Sequence, residues 1–168
     1  KIENNPTIAG NLTVSGTSTN TGLITASAGV AIGGTGSANT LDDYEEGSFT
    51  PTFSFTNGNG NHTTSGAIGR YVKVGGLVNI QGYIKLATKG TANGVIRISN
   101  IPFINIADAY VAGSLWMNGI QSGQPMDGDF AQYLIINGGG DHMRLWCLSG
   151  SGAVHEATHN DVKDQSDF

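Results

Sequence analysis

Arg70-Tyr71-Val72-Lys73-Val74-Gly75-Gly76-Leu77-Val78-Asn79-Ile80-Gln81-Gly82-Tyr83-Ile84-Lys85-Leu86 is the stretch that decides the fold. Two runs of alternating character meet at a Gly-Gly pair. Glycine accepts positive φ without a steric penalty, so the pair predicts a two-residue turn, and the flanking runs predict an antiparallel hairpin. In the second run Val78, Ile80, Ile84 and Leu86 share one face, and Leu77, Asn79, Gln81, Tyr83 and Lys85 share the other. The first face is expected to be core.

Further strands are predicted at Phe49–Phe55, Gly94–Ser99, Tyr110–Met117, Tyr133–Ile136 and Met143–Leu148. The last two flank Asn137-Gly138-Gly139-Gly140-Asp141, a second hairpin loop. Ile101-Pro102-Phe103 ends a strand, because proline cannot donate to a ladder. A helical period shows only briefly, over Ala153–Val162. Short strands separated by turn residues predict an all-β protein whose head, residues 54–168, is an antiparallel, jelly-roll-like β-sandwich.

Upstream the composition changes. Before residue 41 the only charged residues are Lys1 and Glu3. Short β pieces, Asn11–Ser15, Leu23–Ala26 and Val30–Ile32, stand between Gly-, Ser-, Thr- and Asn-rich turns. The large apolar residues are Ile2, Ile8, Leu12, Val14, Leu23, Ile24, Val30 and Ile32. Their burial falls far short of the conformational entropy lost when the whole stretch is ordered. The segment is therefore either a flexible linker or one strand of a shaft in which several copies wrap around a shared apolar axis. The β-branched alternation favours the shaft. Residues 1–40 are read as shaft and oligomerisation segment, 41–53 as a neck and 54–168 as the head.

The net charge is −5, and the 8 Lys and Arg residues are scattered, which argues against a nucleic-acid surface. The single cysteine, Cys147, excludes an internal disulfide framework and reads as a buried thiol. No apolar run is long enough to span a membrane as a helix. Lys1 is taken as the start of a piece of something longer, so the lack of a targeting segment carries no weight. No cofactor is expected.

Three constellations invite chemistry. His155-Glu156-Ala157-Thr158-His159 fits H-E-x-x-H, which on a helix would place two zinc ligands one turn apart with a general base between them. Its flanks allow only a short helix, and nine residues follow His159. A polar loop is the preferred reading, with His155 and His159 the only pair considered for a metal. The carboxylates Asp42, Asp43, Glu45 and Glu46 could in principle act in pairs on a glycosidic bond. Their linker-like setting favours a solvated neck, with Tyr44, Phe49 and Phe53 anchoring it. Finally, Trp116, Tyr133, Asp141, His142, Arg144 and Trp146 are the candidates for a glycan- or protein-binding surface. His142, Arg144 and Trp146 share one strand face and Met143, Leu145 and Cys147 the other. Trp146 would serve equally in an inter-subunit core, and Trp116 is better suited to core than to surface.

Leu-Asp-Asp-Tyr-Glu-Glu-Gly-Ser-Phe-Thr-Pro-Thr-Phe at 41–53, Gly-Arg-Tyr-Val-Lys-Val-Gly-Gly-Leu-Val-Asn-Ile-Gln-Gly-Tyr-Ile at 69–84 and Ile-Ser-Asn-Ile-Pro-Phe at 98–103 resemble the C-terminal part of bacteriophage and prophage tail fibres and tailspikes. Gly-Asn-Leu-Thr-Val-Ser-Gly at 10–16 resembles fibre-shaft sequence. The resemblance implies a homotrimer on the virion tail, outside the cell. Its other tail proteins would attach through a preceding part. Its head would bind a host-surface glycan or outer-membrane protein without catalysis. In similar sequences a further strand often follows the position of Asp167-Phe168. The alternatives implied are a polysaccharide depolymerase and a purely structural trimerisation or capping domain.

The shaft reading carries a test. In light scattering the full chain is expected as a multi-copy assembly that dissociates when residues 1–40 are removed. A stable monomer of the full chain would overturn the shared apolar axis.

Overall fold

The structure, a computed structural model, describes residues 7–106, 111–116, 118–120, 131–136, 140–148 and 153–168. The protein is all-β, with antiparallel sheets, one of them curled into a half-barrel. It divides into two units, Lys1–Asp42 and Asp43–Phe168.

In the first unit β1 (Val30–Ala31) pairs antiparallel with β2 (Thr40–Leu41) around a short 3-10 turn at Ser37–Asn39. Gly29, at φ +88°, is required where the chain turns in. A Cβ there would meet Asp42 Cβ at 2.7 Å and Leu41 O at 2.8 Å. Among the described residues, the expected β pieces at Asn11–Ser15 and Leu23–Ala26 form no ladder.

The second unit is two sheets face to face. Its strands are β3 (Tyr44–Phe49), β4 (Thr52–Phe55), β5 (Thr63–Val74), β6 (Leu77–Thr88), β7 (Ile96–Ser99), β8 (Val111–Ser114), β9 (Asn118–Ile120), β10 (Ala131–Ile136), β11 (His142–Leu148), β12 (Val154–Glu156) and β13 (Val162–Asp167). One sheet runs β3-β5-β6-β13-β9. The other runs β4-β7-β11-β10-β8, with β12 also paired to β11. The hairpin read from the sequence is β5–β6, with Val74 opposite Leu77. Only Gly75 takes positive φ, at +56°, as a type II′ turn requires of its first position. Its N–H donates to Asp43 O at 2.7 Å, and Lys73 ion-pairs with Asp43, so the hairpin tip is tied to the start of the unit.

The core lies between the sheets. Phe53, Phe55, Ile96, Ile98, Met143 and Leu145 from one sheet meet Ile84, Leu86, Val162 and Phe168 from the other. Ile84 and Leu86 are the expected core face of β6. Phe168 exchanges two backbone hydrogen bonds with Ile84, each 2.8 Å, and its ring meets Phe53 edge-on at 5.2 Å.

Several expectations are corrected. The single strand expected at Phe49–Phe55 is two strands in different sheets. Pro51 offers no N–H to a ladder, so pairing stops at Thr50-Pro51 and the chain crosses over. Tyr44–Phe49, within the segment read as a neck, is thus strand β3 of the second unit. The Asn- and Gly-rich sequence of Thr56–Ser65 reads as a loop, but its last three residues, Thr63–Ser65, begin β5. Ala153–Val162 is not helical: it holds β12, a turn at 159–161 and the first residue of β13. Trp116 is not core. Leu115 packs inward, and Trp116 follows it out, 67% exposed. Residues 121–129, which the sequence reads as a loop, and residues 137–139 of the expected hairpin loop lie outside the described residues.

The β3–β5 register sets two aromatic rings over two glycines. Phe49 lies opposite Gly69, and Tyr71 lies opposite Gly47. A Cβ on Gly69 would come within 2.3 Å of the Phe49 ring, and one on Gly47 within 2.7 Å of Tyr71 Oη. Gly69→Ala is therefore expected to cost about 1–3 kcal/mol by overpacking. In urea denaturation the same substitution should cost much less in a Phe49→Ala background, where the ring is gone. Equal costs in both backgrounds would show that the ring is not what excludes the side chain.

Candidate functional site

The candidate residues fall in two places. The first is the outer face of the six-stranded sheet. Because Met143 and Leu145 turn into the core, His142, Arg144 and Trp146 turn out, as expected. Asp141 Oδ1 lies 3.0 Å from His142 Nδ1. That hydrogen bond, with one from its own backbone and the nearby Arg97, holds the Asp141 carboxyl below the ordinary carboxylate range. Tyr133 lies in β10, directly opposite Trp146 in the ladder. Five of the six candidates are therefore gathered in one ladder region.

Two residues complete this row that sequence reasoning had not placed there. Arg97 lies directly opposite Arg144, and Glu156 directly opposite Trp146. Arg144 Nε reaches Glu156 Oε1 at 3.4 Å. The signal for Arg97 was present in Ile96-Arg97-Ile98, where alternation puts the arginine on the face away from two core isoleucines. Glu156 was hidden because its run reads as a polar loop. Among the described residues, Arg97 Nε, His142 Nε2 and Trp146 Nε1 are buried without a hydrogen-bond partner. The row forms a polar seam, and Asp141, with its side chain 82% exposed, is its accessible end.

The second place is the mouth between the sheets, where Trp116 stands. A cavity of about 370 Å³ opens there, lined by Phe49, Pro51, Ile80, Tyr83, Met143 and Phe168 among others. Its size falls within the roughly 300–1,000 Å³ usual for ligand clefts. Gln81 and Ser114 also line it. An exposed indole beside such an opening can stack on a sugar ring or receive an apolar side chain.

The H-E-x-x-H run is divided among three tasks. His155 lies in β12 opposite Cys147. Glu156 pairs with Arg144, and His159 sits in a turn, where its Nδ1 accepts the Gly94 N–H at 3.0 Å. The two histidines do not stand one helical turn apart, because this stretch pairs as strand. Among the described residues no three His, Cys, Asp or Glu side chains come together as a metal site. The acidic run is similarly dispersed. Asp43 pairs with Lys73, Glu45 accepts from Tyr71, and Glu46 accepts from Tyr44 at 2.9 Å. Adjacent positions on β3 face opposite sides, so Glu45 and Glu46 do not act on one bond together.

No family model, curated protein or solved structure matches the chain.

The tyrosine–glutamate pairs have a measurable consequence. Ionising Tyr71 would break its bond to Glu45 and set two negative charges side by side, so its pKa lies above the ordinary 10.0. Tyr44 is raised in the same way by Glu46. A raised folded-state pKa means that the stabilisation is whole below pH 10 and is lost as pH climbs through the folded value. Spectrophotometric titration at the phenolate band should show late-ionising tyrosines, and Glu45→Ala should return one of them to the ordinary range. An unchanged titration in Glu45→Ala would refute the pairing.

Proposed function

We propose that this chain is the shaft-and-head portion of a bacteriophage tail fibre, which attaches the virion to the host cell by multivalent, non-covalent adhesion. The observation that carries this reading is the first unit. Every large apolar side chain described in it, Ile8, Leu12, Val14, Leu23, Ile24, Val30, Ile32 and Leu41, is exposed in a single chain, Leu23 at 96%. Side chains of this kind are placed to be buried by other copies. Three copies are the number that the resemblance supplies.

The second unit, by contrast, closes its own core. A self-sufficient head on a shaft that needs partners delivers several identical heads to one surface. Weak contacts multiplied in this way give avidity with no new chemistry. Host glycan and outer-membrane protein are the receptor classes, other tail proteins are the partners on the preceding side, and the tail of the virion is the location. Trp116, exposed beside its cavity, is the contact we rank first. The seam of Tyr133, Asp141, His142, Arg144 and Trp146 is ranked second, with Asp141 its reachable member.

The purified full chain is expected to bind cells that the parent phage infects and to block adsorption. Trp116→Ala should weaken cell binding roughly tenfold or more, as loss of an aromatic anchor does, with no change in thermal midpoint. Folded, assembled protein that neither binds cells nor blocks adsorption would instead be a structural cap.

A further inference from the structure

The outer face of the five-stranded sheet has an order that its strand sequences do not show one by one. With Ile84 and Leu86 in the core, Leu77, Asn79, Gln81 and Tyr83 point away from it. Register then aligns residues from three strands into cross-strand rows. Ser48, Arg70 and Gln81 form one row, and Glu46, Val72 and Asn79 the next. Outside them lie Tyr44-Val74-Leu77 on one flank and the Ile68-Tyr83 pair on the other. Two mostly polar rows are thus bordered by apolar and aromatic ones. The polar rows line a trough of about 610 Å³.

All five polar side chains of the trough are exposed. Arg70 can only donate, and no hydrogen bond or ion pair among the described residues engages its guanidinium. Glu46 can only accept. One of its oxygens holds Tyr44 Oη at 2.9 Å, and the carboxylate retains further acceptor capacity. Ser48, Asn79 and Gln81 can each do both. One cation and one anion cancel, so the trough does not select a ligand by net charge. An apolar partner would strip water from five polar groups and return no hydrogen bonds. A chain of hydroxyl groups meets the requirement, because each hydroxyl both donates and accepts. The C–H faces of its rings suit Tyr44 and Val72.

We infer that this trough is a saccharide-binding site, with Arg70, Gln81, Asn79, Ser48 and Glu46 as the hydrogen-bonding floor and Tyr44 as the stacking wall. Gln81 lines both this trough and the Trp116 cavity, whereas Glu46, Ser48, Arg70 and Asn79 line the trough and not that cavity. The Asp141–Trp146 seam lies on the other sheet, and the inference stands whether or not the chain belongs to a tail fibre. The rival occupant is a second copy of the chain, packed by the same face.

The test is an array of bacterial-surface oligosaccharides, both neutral and acidic, probed with the full chain and with Arg70→Ala, Asn79→Ala and Lys163→Ala, the last an exposed position that lines neither the trough nor the Trp116 cavity. Both trough substitutions are at exposed positions and are expected to leave the fold intact. The full chain should retain at least one saccharide. Loss of a trough hydrogen bond should weaken it roughly tenfold or more, and the Lys163→Ala protein should retain that saccharide. An array with no retained saccharide overturns the inference, as does retention by Arg70→Ala and Asn79→Ala equal to that of the full chain. A shift in sedimentation of those two variants, with saccharide retention unchanged, assigns the face to contact between copies and also overturns it. Adsorption to cells by a chain that retains no saccharide would sink this inference alone, leaving the adhesive reading in place.

Discussion

Two rings lying over two glycines hold β3 to β5, and most of the head depends on that pairing. Gly47-Ser48-Phe49 and Gly69-Arg70-Tyr71 are the same pattern, glycine then aromatic at a spacing of two, run in opposite directions. Antiparallel register brings each ring onto the glycine of the other strand. A strand glycine has no side chain to pack and loses more entropy on folding than other residues. Here the opposing ring covers each one. The register is also keyed, because a slip by one residue would set both rings against side chains and turn β3's faces over.

The keyed pair also directs the path of the chain beyond β3. That strand ends at Phe49 with its ring over Gly69, and Pro51 then stops the ladder, so the chain leaves one sheet and enters the other as β4. Phe53 and Phe55 reach the core from that second sheet, and Phe168 meets Phe53 from the first. The sandwich is closed at this crossing. The same arrangement places the acidic residues: Glu45 meets Tyr71, and Glu46 turns to the outer face beside Tyr44. Carboxylates that look like a catalytic cluster in the sequence are separated by the pleat.

The two units differ in what they can do alone. The head buries side chains from both sheets in one core, whereas the first unit leaves its apolar side chains in solvent. The described apolar side chains of the first unit do not offset the cost of ordering it. That contrast is what the proposed adhesion by several linked heads rests on.

Much of the fold was legible in local pattern. Alternation around Gly75-Gly76 gave the β5–β6 hairpin and the inward face of β6. The spacing of His142, Arg144 and Trp146 against Met143 and Leu145 gave the outward face of β11. These are properties of neighbouring residues, set by the period of a strand. What the sequence could not give is which strands lie side by side. Arg97 stands opposite Arg144, Glu156 opposite Trp146, and Ser48, Arg70 and Gln81 form one row because separate strands are brought into register by a shared core. The H-E-x-x-H run, read as a polar loop, holds a strand for the same reason. Its local spacing is that of a helix, but Ala157 is held between Leu145 and Ile96 by backbone bonds of 2.8 and 2.9 Å, and that tertiary pairing draws the stretch out as strand. The sequence by itself determined the β5–β6 hairpin and the inward faces of β6 and β11, because those arise from alternation. The tertiary structure alone decided which polar side chains meet, because that depends on contacts between residues far apart in the chain.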